Sequence, residues 1–332
     1  MEQRSMIGKK DFSLKRFFFQ WEWMLVLIFI LINIINSNLS PYYLDGKQLV
    51  SATATFLDKA FIVLPMAFVI ILGDIDISVS STVALSSVIM AVSYNGGVPM
   101  ELAIVICLAV GTVCGFINGL IIARFRELSA VIVTLSTSII YRGIAYIILE
   151  DQASGKFPSW FGFLGWGNVF GVPFILVLFA VCAVIYGLLL HKTTFGRRVY
   201  AMGNNETASK FSGVQVDRIK IIVFTLAGLM SSVTALFLTS RMGSTRPNVA
   251  NGYDLDVIAM VVLGGVSTAG GKGRIGGTIL AIFIIGFLRY GLGLINVPSQ
   301  VLLIIIGGLL IGSVLIPQLK DIKTFKSVSA KQ

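Results

Sequence analysis

Apolar runs alternate with short polar breaks along almost the entire chain. Runs at 24–35, 56–72, 77–92, 102–123, 130–149, 174–190, 219–238, 255–266, 275–295 and 301–316 predict ten helices without strand-like alternation. Most approach the ~20 residues that cross a bilayer, while the eighth, 255–266, is short. The first run follows a basic flank and Trp21 and Trp23, and no small-residue cleavage site comes after it, so a retained span is expected. Pro65 is expected to kink the second span, with Asp58 and Lys59 near its outer end and within reach of the interface. Ser78, Thr82 and Ser86 share one face of the third. Gly111-x-x-x-Gly115-x-x-x-Gly119, with Asn118 inside it, predicts a close helix-packing ridge on the fourth. Thr134, Ser138 and Arg142 share a face of the fifth.

Composition fits a lipid environment. Apolar residues make up 56% and charged residues 13%, about half the charge of a soluble domain. Of 26 Lys and Arg, 19 fall on one side if both termini are cytoplasmic. They lie in the N-terminal flank, at Arg124 and Arg126, in residues 191–220, at Lys272 and Arg274, and in the tail. Only Lys47, Lys156, Arg241 and Arg246 fall on the other. This asymmetry orients an all-α membrane protein with ten spans and assigns the net charge of +10 to the inner leaflet, not to nucleic acid. The expected organisation is a cytoplasmic segment 1–20, one membrane domain 21–316 and a cytoplasmic tail 317–332. Cys107, Cys114 and Cys182 lie in apolar runs without paired or metal spacing, and His191 marks a span end.

The longest polar interruption, residues 191–220, carries six basic side chains and a short helix signal. Asn204 and Asn205 suit an N-cap, Glu206 the first turn and Gly213 the residue past the end. Such a loop is either a docking surface or a connector that only fixes topology. Asp74-Ile-Asp76 and Asp254-Leu-Asp256 each place two carboxylates at a helix start, on opposite sides. That is the pattern of an inverted repeat relating spans 2–5 to 7–10, or of two unrelated caps. Arg142 and Arg289 lie within spans, where they either line a polar pathway or pair with a carboxylate or snorkel. Gly271-Lys-Gly-Arg-Ile-Gly276 has dinucleotide-loop spacing but follows no soluble strand. A phosphate-loop reading fails too, since Val266 and Gly273 stand where glycine and a hydroxyl are required. The sequence offers no nucleotide site and no catalytic constellation.

Four segments carry a resemblance. They are Gly196-Arg197 … Ala201-Met-Gly203-Asn204 … Ala208 … Ser212-Gly213-Val214; Ile75-Asp76-Ile-Ser78-Val79; Val262-Leu-Gly-Gly265 through Gly270-Gly-Lys-Gly273; and Val133-Thr134-Leu-Ser-Thr137. In order and spacing, over about residues 51–317, they resemble the permease subunits of ribose-type bacterial ABC sugar importers. Asp74, Ser80 and Ser136 stand where that family usually has glycine, and Thr207-Ala208 where it has two alanines. Residues 241–248 and 157–160 look most like the rhamnose branch; the overall pattern also resembles the autoinducer-2 branch.

The resemblance implies a permease in the bacterial cytoplasmic membrane, with no enzyme activity and no cofactor of its own. ATP and Mg would sit on separate ATPase subunits, an extracytoplasmic binding protein would deliver the solute, and a second permease subunit would complete the path. It implies ATPase coupling through Gly196, Arg197, Arg198, Gly203, Asn204, Asn205, Glu206, Ala208 and Gly213. The polar residues expected along the pathway are Asp76, Ser78, Thr82, Asn118, Thr134, Ser138, Arg142, Asp256 and Arg289. The alternatives are an ion-coupled carrier using Asp76 or Asp256, and an ABC permease for branched-chain amino acids.

Overall fold

The structure is a computed structural model that describes residues 21–298, 300–312 and 315. The expected cytoplasmic segments 1–20 and 317–332, with their basic residues, lie outside the described residues. The helices are α1 (Trp21–Leu39), α2 (Gly46–Phe56), α3 (Ala60–Ile71), α4 (Val79–Asn95), α5 (Met100–Arg124), α6 (Ala130–Leu149), α7 (Gly162–Trp166) and α8 (Phe174–Lys192). They continue as α9 (Thr194–Asn204), α10 (Glu206–Phe211), α11 (Val216–Met242), α12 (Tyr253–Leu263), α13 (Ile275–Leu294) and α14 (Gln300–Gly312). Two short ladders accompany them. β1 (Ser154–Gly155) pairs antiparallel with β4 (Ser244–Thr245), and β2 (Asn168–Val169) with β3 (Val172–Pro173).

Among the described residues, six helices are long and apolar enough to cross a membrane. The pair α2 and α3, bent by 56°, gives a seventh if it forms one span. Large apolar side chains such as Val105, Ile139, Ile147 and Val184 project outward from α5, α6 and α8, the surface expected of a chain solvated by lipid. The chain is a multi-pass membrane protein.

Every residue of α3 is buried, so a helix apolar all round forms the centre. Its start corrects two expectations. The span breaks at 57–59, not at Pro65, which lies inside α3. Asp58 and Lys59 do not reach an interface; they are 1% and 4% exposed at that break.

The glycine ridge of α5 packs on α11. A Cβ on Gly111 would sit 2.5 Å from Gly228 O, one on Gly115 2.3 Å from Phe224 O, and one on Gly119 2.8 Å from Ile221 Cα. Gly228 repays the approach, since its own Cβ would lie 2.2 Å from Gly111 O. Backbone meets backbone here, so no rotamer change relieves an added side chain. Gly115→Val is expected to cost at least the ~1–3 kcal/mol of overpacking, read as a lower thermal midpoint in detergent. Gly187→Val, with nothing within 4 Å of its Cβ, should leave that midpoint in place.

The helices alternate between two ends. One end gathers Trp21, Ile71, residues 124–129, residues 191–220 and residues 264–274. The other gathers the ladders, residues 57–59 and residues 241–256.

Candidate functional site

Residues 191–220 form two helices, not one. Thr193 caps α9, its hydroxyl accepting from Gly196 N at 3.2 Å. Gly196 has no room for a side chain, since a Cβ would lie 1.9 Å from Leu190 O. Asn205 caps α10 by accepting from Ala208 N at 2.9 Å. Gly213 follows the helix at φ +82°, with Val214 N donating to Ser209 O at 3.1 Å. These are the cap and stop expected from the sequence. Arg197, Arg198, Thr207, Ala208, Lys210 and Phe211 are exposed, Phe211 at 88%.

The hinge between α9 and α10 is wedged into two other segments. A Cβ on Gly203 would lie 1.8 Å from Ile71 O and 2.5 Å from Gly271 N, and Gly271 N donates to Ile71 O at 2.8 Å. Gly271 holds φ +72°, and a Cβ there would meet the Asn204 side chain at 2.6 Å. Tyr200 Oη donates to Gly273 O at 2.6 Å. Two of the glycines that mimic a dinucleotide loop, Gly271 and Gly273, are thus a seat for this hinge. Lys220 completes the joint, reaching Glu206 on α10 at 2.9 Å and Asp74 at 3.5 Å. Burial pushes the Asp74 carboxyl up; Lys220 opposes the rise and Glu206 adds to it.

Asp74 leads directly into a buried polar network. Asp76 accepts from Ser78 N at 2.9 Å and from Ser78 Oγ at 2.6 Å. Asn118 Nδ2 donates to Ser78 Oγ at 2.7 Å, and Tyr141 Oη to Asn118 Oδ1 at 3.2 Å. Thr134 Oγ1 accepts from Ile77 N at 3.2 Å. Four of the expected pathway residues therefore meet where α4, α5 and α6 cross, and Tyr141 joins them. Thr82 is buried one turn further along α4. Ser138 pairs instead with Ser81 at 2.7 Å. Among the described residues Arg142 pairs with no carboxylate: it donates to the carbonyls of Pro247 and Val249, both at 2.7 Å, and so clamps the loop before α12.

Asp256 and Arg289 belong to a second cluster at the other end. Asp256 accepts from Lys59 Nζ at 2.5 Å and from Arg289 at 2.7 Å. Beside it, Asp58 binds Arg241 at 2.7 Å and accepts from Tyr253 Oη at 3.1 Å, while Lys59 Nζ lies 4.6 Å from the Tyr253 ring centroid. Arg241, expected in an outer loop, is instead tied to the α2–α3 break, donating also to the carbonyls of Ala54 and Thr55. The two D-x-D pairs therefore do different work. Asp76 holds the start of its own helix; Asp256, inside the first turn of α12, neutralises two cations from elsewhere. The sequence marked every charge but none of the pairs, because the partners are separated by up to 197 residues.

Residues 48–314 match a family described as the branched-chain amino acid transport system / permease component. The ribose import permease protein RbsC of Bacillus subtilis is 39% identical over 89% of this chain and 91% of its own. The autoinducer 2 import system permease protein LsrD of Escherichia coli K12 is 34% identical over 88% and 90%. No solved structure matches. With a match that spans all but the ends of the chain, and relatives aligned almost end to end, the protein belongs to this family of transport-system permease components.

Proposed function

We propose that this chain is the membrane permease subunit of an ATP-driven importer for a sugar or sugar-like solute in the bacterial inner membrane. It crosses the membrane ten times with both termini inside, spans 2–5 and 7–10 form an inverted repeat, and no step of catalysis is its own. Its partners are cytoplasmic ATPase subunits, which bind ATP and Mg, an extracytoplasmic binding protein and a second permease. The observation that carries this reading is α10, a capped and largely exposed helix seated on the ends of two other segments. A helix so placed has a free face for a partner and a rigid base through which to pass on its motion. The relatives carry names of ribose and autoinducer 2 import, which favours a sugar-like solute over an amino acid.

Two variants test the coupling role. Gly213→Pro asks proline for a φ of +82° that its ring forbids. The Arg197→Glu/Arg198→Glu pair inverts the exposed charge beside the hinge. Both are expected to insert normally and to lose ATP-driven uptake in vesicles that hold the ATPase and binding protein. Normal uptake by both sinks the docking role. Uptake without any ATPase, abolished by an ionophore, would point instead to an ion-coupled carrier.

A further inference from the structure

The end of α5 and the start of α11 enclose a cleft that neither the hinge nor the buried networks use. Its membrane-side part, a cavity of about 260 Å³, has an apolar wall of Leu120, Ala123 and Ile221 and a polar wall of Arg124, Arg126 and Asp217. A second cavity of about 390 Å³ shares Arg126 and Asp217 with it and adds Lys210 and Arg218. Four cations thus face one anion, and that anion is already engaged, since Asp217 binds Arg126 at 2.6 Å. Both members of that pair are about half exposed, so Arg126 has donors to spare. Glu127, next in sequence, lines neither cavity.

The apolar wall decides what fits. Leu120 is 46% exposed, and it continues an outward apolar stripe of Val113, Phe116 and Ile117 up α5. Phe125 and Leu128, 58% and 45% exposed, flank the arginines on the same loop. A site that is apolar towards the span and cationic towards its end matches a molecule with an anionic head and a hydrocarbon tail. A free phosphate would use only half of it, and an ATPase surface would leave apolar side chains in water.

We propose that this cleft holds the phosphate of an anionic phospholipid of the inner leaflet, with Arg124 and Arg126 on the headgroup and Leu120, Ala123 and Ile221 against the chain. The assignment rests on the sidedness proposed above, which vesicle uptake tests separately. The experiment is native mass spectrometry of the full-length protein in detergent, titrated with dioleoylphosphatidylglycerol or dioleoylphosphatidylcholine. The wild type is expected to retain phosphatidylglycerol over phosphatidylcholine. Arg124→Gln/Arg126→Gln should weaken that retention about tenfold, and Arg274→Gln, at a basic loop outside the cleft, should not. Asp217→Asn frees Arg126 from its internal partner and should strengthen it, which keeps the proposal testable if the double variant does not fold. Equal retention of both lipids, unchanged retention in the double variant or in Asp217→Asn, or displacement by millimolar inorganic phosphate would each overturn the proposal. So would a double variant that keeps the lipid but no longer co-purifies with the ATPase, which would make the cleft a protein contact.

Discussion

Asp256→Asn is expected to destabilise the protein by about 3–5 kcal/mol, the range for removing one partner of a buried ionic cluster. The side chain of Asp256 is 8% exposed and that of Lys59 is 5% exposed. Both oxygens of Asp256 are in use, with Lys59 Nζ on one and Arg289 spanning the two. Asparagine preserves the volume but leaves two cations sharing a neutral amide. Asp58 is already engaged by Arg241 and Tyr253, so it is poorly free to take up the excess charge. Loss should appear as a lower thermal midpoint and a lower yield of monodisperse protein. The double variant Asp256→Asn/Lys59→Met should recover part of the loss, since it removes one of the stranded charges, and this separates an electrostatic cost from a packing one. An unchanged midpoint for Asp256→Asn would mean that the cluster is hydrated and holds little together.

That cluster also shows where sequence reading stops. The helices, the Gly111–Gly115–Gly119 ridge and the caps Asn205 and Gly213 were legible because each depends on residues within a few turns of one another. The break at 57–59 was not, because long-range pairing of Asp58 with Arg241 and of Lys59 with Asp256 holds it. Pro65 was the more visible signal, yet it sits inside α3, where apolar neighbours bury it on every side. Arg142 illustrates the same limit. Its position gave no sign of its partners, because the carbonyls it binds belong to residues 105 and 107 positions away. Gly228 carried a signal that could have been found. It is the one glycine of α11, and a ridge of three glycines needs a close partner.

Gly203→Ala is expected to cut uptake about tenfold or more, on the reasoning that forcing a methyl into a packed joint costs ~1–3 kcal/mol and that 1.4 kcal/mol is tenfold. The new Cβ would lie 1.8 Å from Ile71 O and 2.5 Å from Gly271 N, the two atoms that bond to each other at 2.8 Å. It therefore cannot enter without parting them, and the hinge of α9 and α10 must lift off its seat. Fold stability shares that cost, because Ile71 is a buried residue of α3, although the contact lies at one end of the molecule. Transmission has a large stake in the movement: Ile71 closes α3, and three residues on Lys220 ties Asp74 to Glu206 of α10, so a displaced hinge no longer moves with the loop that leads to Asp76. The measurement is solute uptake and ATP hydrolysis side by side in proteoliposomes containing the proposed ATPase and binding protein. Hydrolysis should persist while uptake falls, with the thermal midpoint lowered by no more than about ten degrees, so that the folded variant still shows the uncoupling. Gly276→Ala, with nothing within 4 Å of its Cβ, should behave as the wild type. If Gly203→Ala transports normally, the three-segment joint is a passive contact and α10 must act on the membrane helices by another route, for which Lys220 is the next candidate.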